Sequence, residues 1–170
     1  YLPDKELNGI TFGAVGKGTT VEHVQVSYAA DDSYEWFGGS VDCKYLIAYK
    51  GLDDDFDTDN GFSGKVQFGI AIRDSAIADI SKSEAFESDN DANGSSLLPQ
   101  TAAVFSNMTV MGPKATLANT GNNLIQWGAQ IRRNSTQSIF NSIIMGFPNG
   151  LYIDATKGVP VDNNIPNSLF

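Results

Sequence analysis

The chain has 170 residues, 41% of them apolar and 11% aromatic, and carries a formal net charge of −9. That length and apolar content suffice for one domain with its own core, which excludes intrinsic disorder. The charge excludes nucleic acid and anionic membranes as partners, because both would be repelled, and leaves cations or neutral surfaces.

The single cysteine, Cys43, excludes an internal disulfide and lies in an apolar run, where it reads as a small buried hydrophobe. No window reaches the roughly 18 consecutive apolar residues of a membrane span, so this segment is not expected to insert. The start, YLPDKELNG, has neither the basic residues nor the apolar stretch of an export signal. Because the sequence opens in the middle of a repeat and stops at IPNSLF without a closing element, we expect it to be part of a longer precursor.

Taken in chain order, the sequence alternates short strand-like runs with turns, and 17 glycines supply many of the turns. The opening GITFGAVGKG spaces Gly9, Gly13, Gly16 and Gly18 for tight turns; no lysine-serine pair makes it a phosphate loop. The run VEHVQVSY then leads to YEWFGG (34–39), CKYLIAYK to FDTDNG (56–61), and VQFGIAIR to FESDND (86–91). FSNMTVMG precedes AQIRRN (129–134), and FNSIIMGF precedes LYIDAT (151–156).

The steps Tyr34 to Phe56 and Ala129 to Leu151 are both 22 residues, and the extra length between them is expected in the polar insertions ANGSSLLPQT and PKATLANTGNN. A period of this kind, with insertions confined to loops, predicts an all-β fold: a right-handed parallel β-helix, or solenoid, of about six coils forming a single domain over 1–170. The leucine and asparagine spacing of a leucine-rich repeat is absent, and a β-sandwich would not explain the recurring step.

Stacking equivalent segments sorts their side chains, because successive residues of a strand face opposite sides. Tyr34, Phe56, Phe86, Ala129 and Leu151 fall inward, as do Trp36, Thr58, Ser88, Ile131 and Ile153. Two outward ladders result: Glu35, Asp57, Glu87, Gln130, Tyr152 and Phe37, Asp59, Asp89, Arg132, Asp154. The dense run DDDFDTDNG is thereby anchored by Phe56, while Asp57, Asp59, Glu87 and Asp89 meet as a square of carboxylates on the outer face.

A bound cation, raised pKa values, or the neighbouring Arg132 and Arg133 would each relieve that repulsion. Calcium suits such all-oxygen surroundings, and DNDANG begins like a calcium loop although its twelfth place is Gln100, not a bidentate glutamate. The expected metal set is Asp57, Asp59, Glu87 and Asp89, extended by Asp91 and Asn93. Glycans or other surface proteins are the expected partners, with Glu35, Phe37, Arg132 and Tyr152 as candidate ligand contacts and further chain or a partner covering the solenoid ends. Most other aromatics, among them Tyr28, Tyr34 and Trp36, are expected in the core, and the lone His23 is expected to pack or cap a turn.

Acids stacked beside an arginine on a β-helix are similar to those of polysaccharide lyases and polygalacturonase-like hydrolases. In such lyases calcium neutralises a uronate carboxylate while a basic residue removes the C5 proton; in such hydrolases aspartates act as acid and base. That likeness makes Asp57, Asp59, Glu87 and Arg132 the residues of an enzymatic alternative. The signatures G-x-S-x-G, H-E-x-x-H and CxxC are absent, so a non-catalytic module is the preferred reading.

Three longer motifs carry a family resemblance. Leu7 to Thr19, Asp31 to Gly39 and Asp53 to Gln67 match LNGITFGGVGxGT, DD-x-x-E-x-F-GG and DD-x-x-D-x-x-x-G-x-x-G-K-x-Q. The sequence thus resembles largely uncharacterised secreted or surface proteins, often lipoproteins, of Bacteroidetes and other Gram-negative bacteria. The resemblance implies an exported β-helix repeat protein, secreted or on the outer cell surface, and transfers no reaction.

Overall fold

The computed structural model describes residues 6–114 and 121–164. In chain order its strands are β1 (Ile10–Gly13), β2 (Val21–Ser27), β3 (Tyr34–Phe37), β4 (Cys43–Tyr49), β5 (Phe56–Asp59) and β6 (Lys65–Ile72). There follow β7 (Phe86–Ser88), β8 (Ala102–Met111), β9 (Trp127–Ile131), β10 (Thr136–Phe140), β11 (Ile143–Met145) and β12 (Asn149–Ile153), then a short helix, α1 (Pro160–Asn164). Among the described residues no helix is long and apolar enough to cross a membrane.

Every strand pairing is parallel. One sheet runs β1-β3-β5-β7-β9-β12 and the other β10-β8-β6-β4-β2, with β11 also beside β8. Because the chain visits the two sheets in turn and adds each new strand beside the last, it is a parallel β-helix. The six strands of the first sheet correspond to the six coils expected from the repeat.

Register follows the period read in the sequence. Tyr34 aligns with Phe56, Phe56 with Phe86, Phe86 with Ala129 and Ala129 with Leu151. The interior ladder stacks ring on ring: Tyr34 to Phe56 at 5.6 Å between centroids and Phe56 to Phe86 at 5.5 Å. Each such pair contributes about 0.5–1.5 kcal/mol beyond simple burial. Phe105, from β8, closes the interior edge-on against Phe86 at 5.0 Å. The Tyr34 hydroxyl, buried in this stack, donates to the carbonyls of Val24 and Ile47, so its polar end is satisfied.

Three placements depart from the sequence reading. Leu151 keeps its register but is 57% exposed, because among the described residues no strand stacks beyond β12. Tyr28, expected in the core, is exposed, its backbone being in the left-handed region with φ 57°. The 30-residue step from Phe56 to Phe86 takes its extra length between β6 and β7, whereas both polar insertions named above fall in the next step. Of the second insertion, residues 115–120 lie outside the described residues.

The turns leaving the first sheet explain two motif glycines. Gly39 (φ 84°) and Gly61 (φ 86°) are left-handed, and a Cβ on either would collide with backbone oxygen, of Val15 and Pro99 respectively. The second sheet bends at a ladder of left-handed residues, His23 (φ 57°), Tyr45 (φ 55°), Phe68 (φ 61°), Asn107 (φ 55°) and Asn141 (φ 45°). His23 accordingly neither fills the core nor caps a turn; it is exposed and stacks on Tyr45 at 4.6 Å.

Candidate functional site

The outer face of the first sheet carries the acids. Strand pairing sets Glu35 beside Asp57 and Asp57 beside Glu87, with Gln130 and Tyr152 continuing the row. Phe37, 36% exposed, aligns with Asp59 at the rim. These acids face outward from the coil yet are not solvated: Glu87 and Asp89 are buried, and Glu35, Asp57 and Asp59 are half-buried.

Arginines answer one end of the row. Arg132 Nε donates to both carboxylate oxygens of Asp89 at 2.9 and 3.1 Å, and its Nη2 donates to Glu87 Oε2. Arg133 Nη1 donates to Asp89 Oδ2 at 2.7 Å. Although burial works the other way, Glu87 and Asp89 push Arg132 further above its usual value, so it is held as a cation.

Toward Asp57 compensation runs out. Burial, then Glu35, Asp89 and Asp59, raise the Asp57 carboxyl well above the usual range against the pull of Arg132, and its Oδ1 is buried without a hydrogen-bond partner. Burial and Asp57 likewise raise Glu87. Burial pushes Asp59 up to about 6 despite the hydrogen bond it accepts from the Asn60 N–H, and Glu35 to about 7 despite one from Asn8.

Asp91 and Asn93 stand apart. The Asp91 carboxylate accepts from the backbone N–H of Asn93 at 2.8 Å and of Ser95 at 3.3 Å, and from the Ser95 hydroxyl. The hydroxyl bond above all holds its pKa below the usual range. The calcium-loop-like DNDANG is thus a turn closed on its own aspartate. Among the ligand candidates, Arg132 is taken up by its ion pairs, and Tyr152 stacks on Trp127 at 4.8 Å. Tyr152 lies in β12 and Phe37 in β3, so three strands of the first sheet separate them.

The gatherings of carboxylates take in part of the expected set and extend it into the turns before the strands. Oxygens converge to within 4.8 Å of one another in Asp32–Glu35–Asp57, in Asp54–Glu84–Glu87, in Asp32–Asp53–Asp54 and in Asp31–Asp53–Asp79. Asp57 and Glu87 of the expected set belong to these groups; Asp59, Asp89 and Asp91 do not. Asp31, Asp32, Asp53, Asp54, Asp79 and Glu84 escaped the sequence reading, which aligned strands and not the turns before them. The signal was present: Asp31-Asp32 and Asp53-Asp54 are one 22-residue step apart, and Glu84 follows Asp54 by the same 30 residues that separate Phe56 and Phe86.

Burial drives these acids up as well. Asp32 and Asp54 rise well above the usual range, and Asp53 and Glu84 reach about 7. The third aspartate of the run, Asp55, meets Arg73 at 3.3 Å with both side chains fully buried. Arg73 also donates to the carbonyls of Leu52 and Asp53, so this pair ties the turn to β6.

The family model described as "Pectate-lyase like beta helix domain" matches residues 1–169. The chain belongs to this family. No curated protein and no solved structure gives a significant match. For a pectate-lyase-like β-helix, the geometry above is a sheet face on which carboxylates from successive coils are pressed together, met by arginine at one end only.

Proposed function

We propose that this chain is the β-helix module of an exported protein, secreted or on the cell surface, that binds glycan, and that calcium organises its acidic face. Membership of a pectate-lyase-like family favours a polysaccharide-related role. The observation that carries the reading is the row Glu35–Asp57–Glu87, whose acids lie side by side at strand spacing with too few cations beside them. Stacked like charges destabilise a sheet unless something neutralises them. Calcium takes roughly six to eight oxygen ligands in flexible geometry, which suits carboxylates fixed by a backbone. Export is what the motif resemblance implies, while glycans or other surface proteins as partners are expected from the acidic face with Phe37 and Tyr152 on it; both belong to the same proposal.

The test is thermal unfolding of the chelator-treated protein as calcium is added back. A ligand that binds only the folded state stabilises it by about 2.7 kcal/mol at a hundredfold excess over Kd. Magnesium, which keeps its waters and demands octahedral geometry, should give much less. A melting temperature indifferent to calcium and to chelator would show an acidic face without a metal. Glycan binding is measured separately, by retention on immobilised acidic and neutral polysaccharides.

A second reading, a calcium-assisted lyase or hydrolase using Asp57, Asp59, Glu87 and Arg132, is favoured by the neighbourhood of Arg132 to two of those acids. The same ion pairs keep Arg132 protonated, which weakens it as a base. Unsaturated products or new reducing ends on incubation with polysaccharides, abolished by Asp59→Asn, would establish this reading instead.

A further inference from the structure

One rung before each strand of the first sheet, a ladder of side chains runs along the helix axis. Asn8 Oδ1 accepts the backbone N–H of Asp32 at 3.2 Å, Asp32 Oδ1 accepts that of Asp54 at 2.9 Å, and Asp54 Oδ1 accepts that of Glu84 at 2.5 Å. Main-chain bonds from Ser33 N–H to Asp54 O and from Asp55 N–H to Glu84 O keep these rungs in register. Each side chain performs the same task, satisfying an N–H of the following coil. Asn8 does so as a neutral amide, so Asp32 and Asp54 above it bring charges that the ladder does not require, and Glu84, where the ladder ends, brings a third.

Those charges are deeply placed: Asp32 is 7%, Asp54 4% and Glu84 1% exposed. Among the described residues no ion pair reaches any of them; the arginines and lysine that do pair go to Asp55, Asp74, Glu87 and Asp89. Glu84 Oε1 is buried with no hydrogen-bond partner and belongs to a side chain whose oxygen lies within 4.8 Å of oxygens of Asp54 and Glu87. Asp54 is also grouped with Asp32 and Asp53, so two carboxylate triads meet at one residue. A buried, unpaired acceptor of this kind is strongly unfavourable unless a proton or a cation meets it.

We infer that a divalent, oxygen-seeking cation of the calcium type binds between Asp54, Glu84 and Glu87, with Asp32 and Asp53, which converge with Asp54 in the second triad, at its edge, where the turns before the strands meet the inner end of the acidic row. The donor set is oxygen alone, drawn from three successive coils whose spacing the main chain fixes, which suits a hard ion. Asp89 is met by Arg132 and Arg133 and Glu87 by Arg132 alone, through Oε2, whereas among the described residues no cation pairs with Asp54, Glu84 or Asp32. The inference rests on the proposal of a calcium-organised face and names its ligands.

Calcium chloride is titrated into the chelator-treated whole chain by calorimetry, with melting temperature followed in parallel. Asp54→Asn with Glu84→Gln keeps the ladder in the form that Asn8 already takes, removes two charges, and should weaken calcium binding by roughly tenfold or more. In chelator this variant should melt above the parent, because it no longer buries unpaired charge. Asp59→Asn, on the strand face, should leave calcium affinity within about twofold. Undiminished calcium binding by the ladder variant would overturn the inference. Loss of binding in Asp59→Asn instead would move the ion to the strand face, leaving the proposed function standing and this inference fallen. Absence of any calcium response in the parent would overturn both. Should the double variant fail to fold, the isosteric Glu84→Gln alone decides, through the same loss of affinity.

Discussion

The two sheets of this β-helix present opposite chemistry on the same geometry. On the second sheet, His23, Tyr45 and Phe68 occupy equivalent places in successive coils and stack as parallel rings, 4.6 and 5.2 Å apart and inclined by only 14° and 8°. They border a groove of about 580 Å³ whose lining has no Asp, Glu, Lys or Arg. On the first sheet the same coil spacing brings Glu35, Asp57 and Glu87 into line, and the turns before it bring Asp32, Asp54 and Glu84. A solenoid stacks like upon like without regard to kind. Rings gain from it and carboxylates lose, so the ring ladder explains itself as stability while the acid ladder calls for a ligand.

The largest effect that would sharpen this contrast is expected at Arg73, which pairs with Asp55, the most deeply buried acid of DDDFDTDNG. Arg73→Leu leaves Asp55 buried and alone, and breaking such a pair costs about 3–5 kcal/mol. Denaturant unfolding at neutral pH measures it. Because burial already holds Asp55 near 6, the loss should shrink at pH 5, where the carboxyl is protonated. An equal loss at both pH values would mean that Arg73 acts through packing and its carbonyl contacts instead.

Next in size is the pH response of the acidic side. Glu35, Asp53 and Glu84 titrate near 7 and Asp59 near 6 in the folded chain, with burial the first cause of each rise. Between their ordinary values of 3.8 to 4.5 and these raised ones, the folded chain holds protons that the unfolded chain has released. Their contribution to stability is therefore complete at the acid end and lost as pH rises through about 6 to 7. In chelator, the melting temperature should fall by several degrees from pH 5 to pH 8. Saturating calcium, which favours the ionised acids, should flatten or reverse that slope. A melting temperature that stays flat over this range in chelator would mark the acids as ordinary solvated carboxylates.

The smallest effect belongs to the ring ladder. Tyr45→Ala removes the middle ring and both of its stacking contacts and should cost about 1 kcal/mol. Relief of left-handed strain does not offset this, since alanine at φ 55° is strained too. The loss should be the same with or without calcium and at pH 5 or 8. Coupling between Tyr45→Ala and the calcium response would break the separation of the two faces drawn above.

Much of the fold was legible in the sequence because a strand's side chains alternate with a period of two and a solenoid repeats with a fixed step, both local counting rules. They sufficed to put Phe56 inside beside Phe86, Asp57 outside beside Glu87, and Arg132 on the acid face. They also carried the density of acids in DDDFDTDNG, hence the expectation of a charged site.

What they did not determine is how deep each acid lies and who answers it, since burial depends on the coils above and below and on the insertions that cover the turns. Only the tertiary structure joined Asp32, Asp54 and Glu84 into one ladder, because the aligned steps show that they are equivalent but not that an aspartate ahead of a strand accepts the N–H of the next coil. It alone gave Arg132 to Glu87 and Asp89, closed Asp91 into its own turn, and turned His23, Tyr45 and Phe68 outward. That last choice is set by the bend each coil must make to close, which forces a positive φ on whatever residue stands there, aromatic or not.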